Sequence, residues 1–206
     1  MPDLIAAAKS AQEIDKAVGL IAKIVGKLKA QPDIAALKLG QALEEVAKTL
    51  QVVDSAASSF LSLGIDEGAL DKNGALLLHI QSGNLAKDVE KGLGHCHRIW
   101  RIYEDHLNKW FSNVLAPDEQ ASMQTVFDRL GNADLDLFAD LGRVAETLQA
   151  EAQAVLGLVV KADKTQARAR VWSSLPSLMP LQKTMAGTMT KLYGLKNDFA
   201  DIAGVA

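Results

Sequence analysis

The sequence has few of the residues on which disulfide-rich or sheet-rich folds depend. Its 206 residues include one cysteine and five prolines, and aromatic side chains make up only 5%. A lone cysteine excludes a disulfide framework within the chain and fits a reducing compartment. Because aromatic and β-branched residues are sparse, we do not expect a sheet-rich fold.

The chain also lacks a long apolar run and an excess of charge of either sign. The longest apolar run extends from Ala154 to Val160, whereas a membrane span needs about 20 residues. No basic residue precedes an early apolar stretch, so we expect no signal peptide and a cytoplasmic location, with signal-independent release as the alternative. The 22 basic and 25 acidic side chains nearly balance, which gives nucleic acid no support as a partner.

Alanine, leucine and other apolar residues are abundant instead, at 49% of the chain, and they follow a helical pattern. Apolar positions step by three and four residues, which places them on one face of each helix. A chain of this length can bury roughly 70% of its extended surface. The sequence therefore predicts a single all-α domain over residues 1–206.

The apolar ladders and the breakers between them predict where the helices lie. We expect a first helix over residues 3–29, a second over 32–63, a third over 84–114, a fourth over about 134–159 and a last over 164–201. The glycines in residues 64–84 predict a loop around a short helix at 73–81, and Pro176 and Pro180 predict a kink or a split in the last helix. Similar lengths and short connections favour an elongated antiparallel bundle of about five long helices with one or two short extra helices.

Motifs for catalysis, metal binding or cofactor binding are not evident. No acidic residue stands three positions before any of the four histidines, so the Glu-x-x-His pairs of di-metal bundles do not occur. His95 and His97 point about 200° apart on a helix, and Cys96 between them follows the apolar ladder. Trp100, Tyr103 and Trp110 also occupy ladder positions and are expected in the core. We therefore predict a non-enzyme without metal or cofactor, although an apolar cavity among the helices stays open as a ligand site.

The first helix carries apolar residues beside its ladder together with several lysines. Leu20 lies about 200° around the helix from Val18, so the two side chains cannot face the same neighbour. Either the helix is central and contacted on both sides, or it presents an apolar, basic surface to a partner or to an anionic membrane. The candidate residues of this surface are Ile5, Lys16, Leu20, Lys23, Ile24 and Lys27.

Glycines within helices are the least expected feature of the sequence. Each costs about 1 kcal/mol relative to alanine. The two pairs lie seven residues apart on the first and last helices, which places each pair on one face. They are predicted to allow either close packing of a neighbouring backbone or rearrangement of the helices: Gly19, Gly26, Gly187 and Gly194.

Two functional hypotheses follow from the sequence. The first is a non-enzymatic interaction module that binds an unidentified protein partner. The alternative is a membrane-active bundle of toxin or cell-death type, which releases an amphipathic helix such as residues 3–29 into an anionic membrane. Residues 118–151 are mainly acidic and residues 161–196 mainly basic, so these two segments are expected to pair, or the basic helix to meet an anionic partner. A homo-oligomer stays open in either case.

Overall fold

The computed structural model describes residues 2–25, 34–65, 70–131 and 136–204, and within these ranges every regular element is helical. The predicted all-α class is therefore confirmed. One π-helical turn, Tyr103–Leu107, joins the third and fourth helices. The helices are α1 (Pro2–Val25), α2 (Ile34–Ile65), α3 (Lys72–Ile102), α4 (Asn108–Val114), α5 (Pro117–Gly131), α6 (Asp136–Val160) and α7 (Lys164–Ile202).

The apolar ladders form the core of the protein. Every ladder position predicted for α2 is buried, and so are the ladder positions described near the end of α1. Because this spacing keeps apolar side chains on one face of each helix, packing the helices together removes that face from water. The buried ladder residues of α1 and α2 are Ala11, Val18, Ile21, Val25, Leu39, Leu43, Val46, Leu50, Val53, Ala57 and Phe60.

The residues predicted as a short helix at 73–81 are helical, but the loop predicted between them and residue 84 does not occur. Helix α3 begins at Lys72 and continues through Gly83 without interruption. The Asp71 side chain caps this helix by accepting a hydrogen bond from the Gly74 backbone N–H at 2.7 Å. A Cβ on Gly83 would lie 3.4 Å from Gln149 Nε2 of α6. Packing against α6 thus offsets the weak helix propensity of glycine, which the local sequence could not show.

Helix α7 is the longest element, and it begins after a tight turn from α6. Ala162 has a φ of 61°, and the Asp163 and Ala162 backbone N–H groups donate to the carbonyls of Leu158 and Val159. This is the Schellman pattern that ends many helices. The Asp163 side chain then caps α7 by accepting from the Gln166 N–H at 3.0 Å. The predicted split at Pro176 and Pro180 does not occur, because α7 runs through both prolines.

Helices α2 and α7 pack antiparallel along most of their lengths. Trp172, near the start of α7, donates to the carbonyl of Gly64 at the end of α2 at 2.9 Å. Lys196, near the end of α7, lies 3.0 Å from Glu44 Oε2 near the start of α2. The hydrogen bond from Lys196 lowers the pKa of Glu44. Helix α7 also packs against α1 and α6, so three helices cover its inner face and leave its outer face to solvent.

Gly40 allows the close approach of α2 to α7, and its replacement by alanine is expected to destabilise the protein. A Cβ at this position would lie 3.1 Å from the Lys196 carbonyl oxygen and 3.2 Å from Phe199 Cβ. Because the first of these atoms is backbone, a helix must shift, at a cost of about 1–3 kcal/mol. The matched variant Gly157→Ala, where a Cβ meets nothing within 4 Å, should instead gain up to about 1 kcal/mol. Urea unfolding of both variants tests this; equal effects would contradict the close approach at Gly40.

Candidate interaction surfaces

The structure exposes only part of the surface predicted on α1. Ile5 is 54% exposed and Lys16 is exposed, but Leu20 is half-buried against the core. Helix α1 packs against both α6 and α7, which explains why apolar residues occur beside its ladder. The other residues predicted on α1 lie outside what the structure describes. For Lys23 and Ile24 this applies to the side chains, and for Gly26 and Lys27 it applies to the whole residue.

A groove of 610 Å³ lies where α1 meets α7, and Lys16, Gly19 and Leu20 contribute to its lining. At this groove Asp15 of α1 is bonded to α7. Its carboxylate accepts hydrogen bonds from Lys191 Nζ at 2.7 Å and from Thr188 Oγ1 at 3.0 Å. Gly19 faces the same ammonium, since a Cβ there would lie 3.9 Å from Lys191 Nζ. These polar contacts tie α1 to α7 and oppose the release of α1.

Close packing within the chain does not explain the other two described glycines of the prediction. Gly187 and Gly194 are exposed on α7, and a Cβ built on either would meet nothing within 4 Å. Among the glycines that the structure describes, those closest to another helix are Gly40 and Gly64 on α2, neither of which was predicted to serve close packing. The alternative, that Gly187 and Gly194 serve flexibility, stays a prediction.

The largest exposed apolar side chains of α7 share one face of that helix. Trp172 is 55% exposed and Met179 is 60% exposed. They lie two helical turns apart, with the exposed Pro176 between them and the exposed Pro180 beside Met179. Neighbouring apolar residues exposed in this way commonly mark interaction sites. We call the side of α7 that bears these residues the outer face.

Trp172 is held in place at one edge. Its indole N–H donates to the Gly64 carbonyl, and a Cβ on Gly64 would lie only 3.0 Å from Trp172 Cδ1. Ile65, the next residue of α2, is 73% exposed and extends the apolar area beyond α7. A tryptophan fixed by a hydrogen bond loses little side-chain entropy on binding, which suits it to anchor a partner.

The two prolines add polar acceptors to this apolar area. Proline has no backbone N–H, so Pro176 cannot donate to the Trp172 carbonyl, and Pro180 cannot donate to the Pro176 carbonyl. Both carbonyls therefore lose the donor that a regular helix supplies at these positions. A partner with hydrogen-bond donors could bond to these two carbonyl oxygens while its apolar side chains cover the exposed apolar residues.

Charges flank the outer face and differ between its two ends. Lys164 is exposed at the start of α7, and Asp198 and Asp201 are exposed near its end. On a side of the helix that faces α6, Arg170 forms a two-pronged ion pair with Glu151, with one bond of 3.0 Å. That pair is one instance of the acidic–basic pairing predicted between these segments.

Two other features stand apart from this face. A groove of 520 Å³ opens between α2 and α3, and the exposed Val52 in it is bordered mainly by polar side chains and alanine.

Near the π-helical turn, Tyr103 is fully buried and stacks on Phe127 with ring centroids 4.1 Å apart. The prediction of a core aromatic is thereby confirmed for Tyr103, whereas Trp100 is half-buried and donates to Asp128.

The ladder of α7 alone does not indicate the outer face. Trp172 and Met179 directly follow the buried ladder residues Val171 and Leu178, about 100° around the helix, and their spacing of seven residues places the two on the same side. The spacing of seven residues between Trp172 and Met179 is the feature of the sequence that could have identified them.

Among the described residues, no group of three or more His, Cys, Asp or Glu side chains could hold a metal ion. None of the helices searched is long and apolar enough to cross a membrane.

No known protein family, curated protein or solved structure matches this chain.

Proposed function

We propose that this protein is an interaction module that acts by binding a protein rather than by catalysis, and that it binds through the outer face of α7. The observation that carries the proposal is the exposed apolar area formed by Trp172, Pro176 and Met179. Tryptophan and methionine are enriched at protein interfaces. The scaffold for this face would be an elongated antiparallel bundle of five long helices, as the α2–α7 packing suggests.

A protein partner fits this face better than a lipid surface does. A helix that lies on a membrane usually carries a long apolar side with lysines along its polar edges. The apolar part of the outer face covers only residues 172–180, and it includes two prolines whose missing N–H groups leave carbonyl acceptors. Uncompensated carbonyls are costly in lipid, whereas a protein can supply donors to them.

Replacing Met179 with glutamate tests the proposal. The exposed side chain permits this change without loss of folding, and a charge within the apolar part of the face should reduce capture of the partner at least about tenfold. Tagged wild-type protein and Met179→Glu would be compared by quantitative co-purification from the source cells. Ile5→Glu is the matched control, because Ile5 is similarly exposed on α1 and its replacement should leave capture unchanged.

Two outcomes would contradict the proposal. One is that Met179→Glu and Ile5→Glu retain the same proteins in the same amounts as the wild type. The other is that the wild type releases dye from anionic vesicles and Ile5→Glu abolishes the release, which would favour the membrane-active alternative.

A further inference from the structure

The outer face of α7 has a regular arrangement along its whole length. Exposed positions recur in steps of three and four, so they form one nearly straight line along the helix. All of them are exposed to solvent. They are Thr165, Ala169, Trp172, Pro176, Met179, Lys183, Gly187, Thr190, Gly194, Asn197 and Asp201.

Near Lys183, larger and smaller residues lie on opposite sides of the midpoint of this line. The three positions before Lys183 hold Trp172, Pro176 and Met179, and the three after it hold Gly187, Thr190 and Gly194. The line is also symmetric in position about Lys183: reversing it places Trp172 opposite Gly194 and Met179 opposite Gly187. Open space surrounds both glycines, because a Cβ on either meets nothing within 4 Å.

We propose that the partner of this face is a second copy of the same chain, with the two α7 helices antiparallel and a two-fold axis at Lys183. This inference rests on the proposed function and names its partner. In the dimer, Trp172 of each copy lies over Gly194 of the other, and Met179 lies over Gly187. The large side chains of one copy fill the space that the glycines of the other leave, as knobs enter holes in paired helices.

The charges at the two ends of α7 support the same arrangement. The antiparallel register brings the exposed Lys164 of one copy near the exposed Asp201 of the other. Two-fold symmetry forms this opposite-charge contact twice. At the axis the two Lys183 ammonium groups repel each other, but their flexible stems allow them to turn toward water.

Self-complementarity favours a second copy over an unrelated protein. A two-fold interface uses the same surface on both subunits, so that surface must contain both halves of every contact. The outer face meets this requirement in size, because Trp172 and Met179 lie opposite glycines. It also meets it in charge, because Lys164 is next to Thr165, the residue that lies opposite Asp201. An unrelated partner would require neither relation within one helix.

Sedimentation analysis across about 1 µM to 1 mM tests the dimer. The wild type should show a concentration-dependent shift from monomer to dimer. Met179→Lys adds to the repulsion between the Lys183 ammonium groups at the axis and should weaken the association at least about tenfold, whereas Ile5→Lys on α1 should leave it unchanged. Circular dichroism of each variant verifies that the helices are retained.

A charge-exchange pair tests the register itself. Lys164→Glu alone and Asp201→Lys alone each replace two attractive contacts by repulsive ones, so each should weaken the dimer by about threefold to tenfold. A 1:1 mixture of the two variants restores opposite charges at both ends and should associate as tightly as the wild type. Failure of the mixture to recover would overturn the antiparallel register.

A wild type that stays monomeric throughout the range, or a Met179→Lys variant that dimerises as tightly as the wild type, would overturn the inference. The proposed function can be judged separately. If the monomer still captures another protein in a manner that depends on Met179, the function stands and only the identity of the partner is wrong. If Met179→Glu leaves capture unchanged and Met179→Lys leaves dimerisation unchanged, both are wrong.

Discussion

Replacing Tyr103 with alanine is expected to lower the free energy of unfolding by about 3–5 kcal/mol. The ring is fully buried, stacks on Phe127 and lies 5.9 Å from the ring of Phe111, measured between centroids. Because the ring of Phe127 can move only partly into the space, alanine leaves a cavity whose lining loses its contacts. This effect should be the largest of any substitution considered for the protein.

The hydroxyl group of Tyr103 accounts for a separate and smaller part of the loss. It donates to Gln124 Oε1 at 2.8 Å, and the Gln124 amide in turn donates to Glu104 and Asp128. Tyr103→Phe keeps the ring but leaves the Gln124 oxygen without its donor, which should cost about 1–3 kcal/mol.

Urea unfolding at pH 7, followed by circular dichroism, measures both Tyr103 variants. Met179→Ala is the control, because its exposed side chain should contribute less than about 0.5 kcal/mol. If Tyr103→Ala costs no more than Tyr103→Phe, the ring is not packed as the structure shows.

Raising the pH from 10 to 12 is expected to lower the free energy of unfolding through Tyr103 by up to about 2–3 kcal/mol. Burial, together with the nearby carboxylates of Glu104 and Asp128, raises the pKa of Tyr103 from 10.0 to about 12. In the unfolded chain the phenol loses its proton near pH 10, while the folded protein retains it. The unfolded state therefore binds fewer protons between these pH values, so stability falls as the pH rises.

The contribution of Tyr103 can be separated from that of other groups by comparison with Tyr103→Phe. Lysines also titrate above pH 10, but both proteins contain the same ones. The stability difference between wild type and Tyr103→Phe, measured by urea unfolding at several pH values from 8 to 12, should shrink as the pH rises. A difference that stays constant would show that Tyr103 ionises equally well in the folded and unfolded states.

Much of the fold could be predicted from spacing alone. The ladder that includes Leu39, Val46 and Val53 lies in the core of α2, because steps of three and four place side chains on one face whatever the neighbours are. A helix was predicted to end at residue 114, and α4 ends at Val114. The next helix, α5, begins at Pro117, since proline suits the first turn of a helix. These features depend on a few consecutive residues and therefore survive without tertiary information.

The continuity of α3 and α7 could not be predicted in this way. Gly83 and Pro176 each disfavour a helix locally, yet both lie within helices. Many contacts from neighbouring helices outweigh one unfavourable residue, and the identity of those neighbours depends on parts of the chain that are distant in sequence. The π-helical turn at Tyr103 likewise had no local signal that the spacing analysis could detect.

The candidate surface shows the same division. From the sequence, α1 was expected either to be contacted on both sides or to expose apolar residues; the structure leaves Ile5 exposed and half-buries Leu20. The outer face of α7 was not expected, because a helix with apolar residues on two sides can bury either one. Contacts with α1, α2 and α6 decide which side is buried, and only after that choice do Trp172 and Met179 remain in water.

The order of residues by itself determined that the chain is helical and which side chains could share a face, because helix geometry is set by the backbone over a few turns. Only the tertiary structure decided where helices continue through glycine and proline, and which of two apolar faces is left without a neighbour. Those choices depend on packing between segments far apart in the chain, such as Gly64 with Trp172.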